Sequence, residues 1–157
     1  MGGDCGTCTM CCKVMRVNEL KKPSHKLCDH CTVGVGCKIY SSRPESCATF
    51  NCYWLQTQTG GNNALPMNLR PDRSKVVLYA ATDGGSIVAQ VDSTYPTAWQ
   101  EKSMAYFLGR LSEKLWVLVG NRKGWWVIKD HEVREALMSE PDEEGVEHFL
   151  GYAGGGK

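Results

Sequence analysis

Beyond Cys52 the chain has no cysteine. All nine lie between Cys5 and Cys52, and residues 53–157 hold none. Cysteines used as ordinary small core residues would be scattered through both parts. A charge excess is missing as well. Eighteen Lys and Arg face 17 Asp and Glu, for a net charge of +1. Bulk electrostatics therefore gives no signal for nucleic acid or an acidic membrane. No apolar run is long enough to span a bilayer. The first ten residues, MGGDCGTCTM, lack a basic stretch followed by an apolar one, so no secretory signal is expected. Gly6 stands where a myristoylation site wants Ser or Thr. No paired carboxylates and no nucleophile–base motif stand out, so catalysis is left unassigned; triads assemble in space, not in sequence.

These absences lead to the expectation of a cytoplasmic, reducing location. There, clustered cysteines point to metal binding or catalysis rather than disulfides, and an odd number cannot pair completely. At 157 residues the chain is one large domain or two small ones.

What the chain does have is the stretch DCGTCTMCCKVMRVNELKKPSHKLCDHCTVGVGCKIYSSRPESCATFNC. Cys5, Cys8 and Cys11 follow a C-x-x-C-x-x-C rhythm, and Cys12 doubles the last. With a remote fourth cysteine, that rhythm suits an iron–sulfur cluster. Cys28 and Cys31 form a second C-x-x-C. Paired with Cys5 and Cys8, it gives close to four-cysteine zinc spacing. The residues thus support a three-plus-one cluster or a two-plus-two zinc site, and both stay open. CGTC alone would suit a redox dithiol, but no strand precedes it. His30 reads as a neighbour of a thiolate rather than a ligand. Asn18-Glu19-Leu20 starts a helical turn that Pro23 ends. Lys21-Lys22 reads as a solvated face. Pro44 and Glu45 suit the start of a short helix, which places Cys47 near an N-terminus where a thiolate is favoured. Arg43 is read either as a partner of a carboxylate or thiolate or as a surface residue.

The order C-x-x-C-x-x-C-C, a further Cys, then G-C-x-I-Y-x-x-R-P-x-x-C-x-x-F-x-C resembles the cysteine-rich family described as zinc- or iron-chelating domains, the YkgJ type. The resemblance covers residues 5–55. It implies metal ligands at Cys5, Cys8, Cys11, Cys12, Cys28, Cys37, Cys47 and Cys52, with Tyr40, Arg43 and Pro44 in the pattern. Cys31 is extra to it, and is a ligand only in the two-plus-two grouping. The implied cofactor is an iron–sulfur cluster or zinc; the resemblance supplies no reaction. The physics agrees, because residues 1–55 hold too few large apolar side chains for a core of their own.

Gln56 to Asn63 reads as a polar turn or linker. In the second part, Lys75–Thr82 and Ser86–Asp92 read as strands around Asp83-Gly84-Gly85. Apolar positions from Ala98 to Leu111 describe an amphipathic helix ending near Lys114. Trp116–Gly120 and Gly124–Ile128 read as two more strands. Asp130 reads as the cap of a helix through Val133, Ala136 and Leu137, with a second short helix through Val146, Phe149 and Leu150. Trp99, Trp116, Trp125 and Trp126 read as core, and His131 and His148 as surface. The expected fold is α+β: residues 1–55 a cysteine-rich metal-binding segment, residues 56–157 an antiparallel sheet with a helix on one face and short C-terminal helices, the two joined into one unit through Tyr53, Trp54 and Leu55.

Three functions follow as expectations. The first is a metal-binding protein with an electron-transfer or cluster-dependent role. The second is a zinc-stabilised module that presents a surface to a protein partner. The third is a thiol–disulfide enzyme using Cys5 and Cys8.

Overall fold

Runs of β-branched and aromatic residues build the second part, and they do so as strands. The structure, a computed structural model, describes residues 8–58, 64–81, 85–143 and 146–152. Six strands form one sheet in sequence order: β3 (Val76–Ala80), β4 (Ser86–Val91), β5 (Trp116–Asn121), β6 (Gly124–Lys129), β7 (Glu132–Met138) and β8 (Phe149–Tyr152). The β3–β4 hairpin and the β5–β6 hairpin fall where the sequence places them. The turn residues Asp83 and Gly84 lie outside the described residues.

One junction differs from the antiparallel expectation: β4 and β5 run parallel. The amphipathic helix α5 (Lys102–Ser112) lies between them and returns the chain across the sheet. A tight hairpin cannot join parallel strands; a crossover can. The helix is shorter than the apolar pattern, because Ala98–Gln100 form a separate 3-10 turn.

The expected C-terminal helices are strands. Asp130 caps nothing. Both Asp130 and His131 take positive φ, 50° and 68°, between the paired residues Lys129 and Glu132. Two left-handed residues are what a two-residue hairpin turn requires. The turn folds Val133, Ala136 and Leu137 into β7 and overrides their helical spacing. Phe149 and Leu150 join β8, which pairs with β7. The sheet coils so far that Phe149 and Tyr152 of β8 bring their rings to 5.6 and 6.3 Å from Trp116 of β5.

Between the two faces of the sheet the aromatic residues divide. Trp126 stacks on Trp99 at 5.6 Å on the face that α5 covers. Trp125 points the other way, towards Val88, Leu118 and Val127. It lies across Gly120, where a Cβ would meet its ring at 2.6 Å. His131 and His148 are surface residues, paired with Glu113 and Asp142.

The first part is short elements hung on that sheet: α1 (Met10–Val14), a two-stranded ribbon of β1 (Cys31–Thr32) and β2 (Gly36–Cys37), α2 (Glu45–Thr49) and α3 (Tyr53–Thr57). Asn18–Leu20 form the expected helical turn, as a 3-10 turn that Lys21 ends in a left-handed conformation. Pro71–Ser74 form one more short helix, α4. Met10, Val14, Trp54 and Leu55 belong to the same apolar cluster as Val76, Leu78, Met104 and Leu108. Trp54 is 7% exposed, as its place after Cys52 suggests, and its indole N–H donates to the Pro66 carbonyl at 3.0 Å. Gln56 and Thr57 close α3 rather than opening a free linker; residues 59–63 lie outside the described residues. Among the described residues no helix is long and apolar enough to cross a membrane.

Candidate metal centre

Five separate pieces of the first part bring their cysteines to one place. Cys8, Cys11, Cys12, Cys28, Cys37, Cys47 and Cys52 all line a single cavity of about 440 Å³. Its remaining wall is largely apolar, including Met15, Val17, Ile39, Phe50, Leu55 and Val77. All eight described cysteines are unpaired. Cys5 lies outside the described residues. Cys31 is buried but does not line the cavity.

The local folding explains the gathering. In α1, Cys11 and Cys12 are neighbours on a helix and so project about 100° apart. The Cys12 carbonyl accepts the Cys28 N–H at 2.9 Å, which fixes the second C-x-x-C against α1. The Cys28 carbonyl in turn accepts the Cys31 N–H at 3.0 Å. The ribbon sets Cys37 directly opposite Cys31. Glu19 accepts the Ser46 N–H at 3.0 Å and its hydroxyl at 2.7 Å, which holds α2, and with it Cys47, against the 3-10 turn. Lys13 pairs with the buried Asp92 at 2.8 Å and donates to Thr94 at 2.9 Å, so α1 is tied to the end of β4.

Electrostatically the thiols fall into two groups. Cys52 has Cys8 beside it. Burial pushes both thiols up, while backbone N–H groups hold them down: Met10 and Asp72 at Cys8, Leu55 and Trp54 at Cys52. The second group centres on Cys12, whose thiol is pushed up by its hydrogen bond to Cys11 and by burial, with Cys31 also against it. Burial and the neighbouring Cys12 push Cys31 up to about 11. Cys47 does stand in the first turns of a helix. Burial, with Cys12 and Cys28 nearby, nonetheless raises its thiol, against the expectation that the helix would favour the thiolate.

One residue reads differently from the sequence expectation. Lys22 is 6% exposed, not part of a solvated face. Its ammonium donates to the Met15 and Pro23 carbonyls and sits among Cys28, Cys12, Cys11 and Cys47. Burial lowers its pKa and those thiols oppose the shift. A Lys pair beside Pro carries no sequence signal of this; Lys22 pairs with Val17 in an isolated antiparallel bridge. Arg43 also lines the cavity, with its guanidinium 3.9 Å above the Tyr40 ring and its Nε donating to the Tyr40 carbonyl at 3.0 Å. His30 is half-buried and outside the cavity lining.

As the side chains stand, no three Cys, His, Asp or Glu among the described residues converge on one metal-sized point. The thiols are spread over the walls. Clustered sulfurs, N–H groups directed at two of them and a buried cation beside others are donors that a soft metal could take. Comparison with protein-family models, with curated proteins and with solved structures gives no match.

Proposed function

We propose that this chain is a metal-binding protein whose cavity holds an iron–sulfur cluster, with Cys5, Cys8, Cys11, Cys12, Cys28, Cys37, Cys47 and Cys52 as the ligand pool. The observation that carries the reading is the convergence of seven cysteines on one cavity of about 440 Å³. Four sulfurs on one tetrahedral zinc stand about 3.8 Å apart, from Zn–S bonds of about 2.3 Å. Ligands of a cluster are spread over its corners. A roomy cavity with thiols on several walls suits the larger group. Such a cluster supplies one-electron redox chemistry when bound.

The chain's own contribution is binding and electrostatics. The Met10, Asp72, Trp54 and Leu55 N–H groups donate to Cys8 and Cys52 and favour their thiolates. Lys22 offsets the charge of the Cys12 group in a place that water does not screen. Phe50, Leu55 and Val77 supply an apolar wall beside the sulfurs.

Visible absorption and electron paramagnetic resonance of anaerobically purified protein test the proposal. Broad absorption with a signal that appears on reduction supports it. A colourless, zinc-containing protein replaces it with the zinc-stabilised, partner-binding module, and a metal-free protein that turns over disulfides replaces it with the thiol–disulfide enzyme.

A further inference from the structure

Cys31 is the cysteine that neither the family-like pattern nor the cavity uses. Its position in the ribbon is specific. Cys31 and Cys37 are Cα partners, and the Lys38 N–H donates to the His30 carbonyl at 2.6 Å. That bond joins the residue after Cys37 to the residue before Cys31. The Cys31–Cys37 pair is therefore a non-hydrogen-bonded pair of an antiparallel ribbon. In such pairs the Cα atoms are about 4.5 Å apart and the side chains share one face. Disulfides span Cα separations of about 4.4–6.8 Å. The turn between them is held by the Val35 N–H, which donates to the Thr32 carbonyl at 2.9 Å, and by Gly34 and Gly36 at positive φ.

We propose that Cys31 and Cys37 form a disulfide on oxidation, and that Cys31 thereby withdraws Cys37 from the metal site. The second half rests on the metal-binding reading; the pairing itself does not. The oxidant class is a small disulfide such as glutathione disulfide. Cys37 lines the open cavity and Cys31 is buried, so the entering reagent meets Cys37 first. The Cys37 thiolate attacks one sulfur of the reagent, its S–S bond breaks, and one glutathione leaves as thiolate and takes up a proton. Cys31 sulfur then attacks Cys37 sulfur, loses its proton to water and expels the second glutathione. Two protein thiols lose two electrons and two protons; one glutathione disulfide becomes two glutathione thiols. Cys31 is the poorer nucleophile of an ordinary encounter, but the ribbon holds it across from its target, and an intramolecular attack gains accordingly.

The test oxidises the purified full chain with glutathione disulfide, blocks remaining thiols with N-ethylmaleimide and digests without reductant. Cleavage before Asp29 and after Lys38 gives peptide 29–38, in which Cys31 and Cys37 are the only cysteines. The expected product is this peptide two hydrogens lighter and free of maleimide, formed together with loss of metal from the protein. In Cys31→Ser the same oxidation stops at the mixed disulfide, and peptide 29–38 carries one glutathione at Cys37, because the second step has no nucleophile. Peptide 29–38 carrying maleimide at both cysteines while other disulfides form, or Cys31 linked to Cys12, overturns the pairing. The light peptide without any loss of bound metal overturns the withdrawal of Cys37. The light peptide from a chain that never held metal keeps the pairing and overturns the metal-binding reading instead.

Discussion

Lys22 carries a buried positive charge among four thiols, and among the described residues its ammonium donates to two carbonyl oxygens. On the proposed metal-binding reading, its effect belongs to the bound state. Lys22→Met keeps the chain length and removes the charge, and is expected to lower metal affinity about tenfold, the low end of what outer-shell partners contribute. Competitive chelator titration reads this; an unchanged affinity makes Lys22 a packing residue only. Asp72 offers a pH test at the other thiol group. Arg70 clamps both its carboxylate oxygens, at 2.6 and 2.5 Å, and holds its pKa below the ordinary carboxylate range. A depressed folded pKa stabilises the fold above the unfolded pKa of about 3.9, and the contribution is lost as pH falls through the lower folded value. The pair is partly exposed, so its worth is about 1 kcal/mol or less. Asp72→Asn is expected to flatten the acid limb of thermal stability as pH falls below the unfolded pKa of about 3.9, as a melting series against pH would show; a parallel acid limb in both proteins contradicts the assignment.

Single elements of a turn or two hold the thiols, so their anchors decide whether the site exists. Trp54 in α3 is the clearest, since α3 begins immediately after Cys52 and its N–H groups reach that sulfur. Trp54→Ala is expected to lower stability by about 3–5 kcal/mol and to reduce metal content as well. Calorimetry with metal analysis on the same sample checks it, and full metal content with a lowered melting point separates the anchor from the site. Gly120→Ala is a control on the far side of the sheet. Its Cβ would collide with the Trp125 ring, so a loss of about 1–3 kcal/mol is expected, with metal retained. These elements also show what was legible in the sequence. The two hairpins and the amphipathic α5 follow from apolar periodicity and turn residues, and buried Trp54 from its place directly after Cys52. The parallel β4–β5 junction does not, because a strand's pattern is the same whichever way its neighbour runs. β7 does not either: Val133, Ala136 and Leu137 repeat at helical spacing, and only the left-handed pair Asp130-His131 makes them a strand. The clustering of the cysteines agrees with their shared cavity, but did not show that Cys8 would side with Cys52, nor that Cys12 would be the one beside Cys28 and Cys31. Those partnerships come from where α1 lies on β3, a contact between distant parts of the chain.

At the scale of the molecule, one apolar cluster runs from Met10 and Val14 through Trp54 to the sheet, but little between residues 16 and 50 reaches it. Of that stretch only Phe50 packs against the cluster, and then partly. Its ties are local hydrogen bonds such as those of Glu19 with Ser46 and of Lys22 with the Met15 and Pro23 carbonyls, and on the proposed reading the metal adds the rest. Chelation is therefore expected to open residues 16–50 to protease while the near-ultraviolet signal of Trp99 and Trp126 persists, because their stack lies under α5. Limited proteolysis before and after chelation reads this directly; a stretch that resists protease without metal contradicts it. The central claim is that the cysteine cavity is a metal site. Elemental and sulfide analysis of anaerobically purified protein, beside a Cys12→Ser and Cys47→Ser double variant, measures it most directly. Iron and acid-labile sulfide in equal amounts, bound in whole-number ratio to the wild-type chain and lost from the variant, is the result this account predicts. Wild-type protein free of bound metal, or a variant that binds as much as wild type, would contradict it.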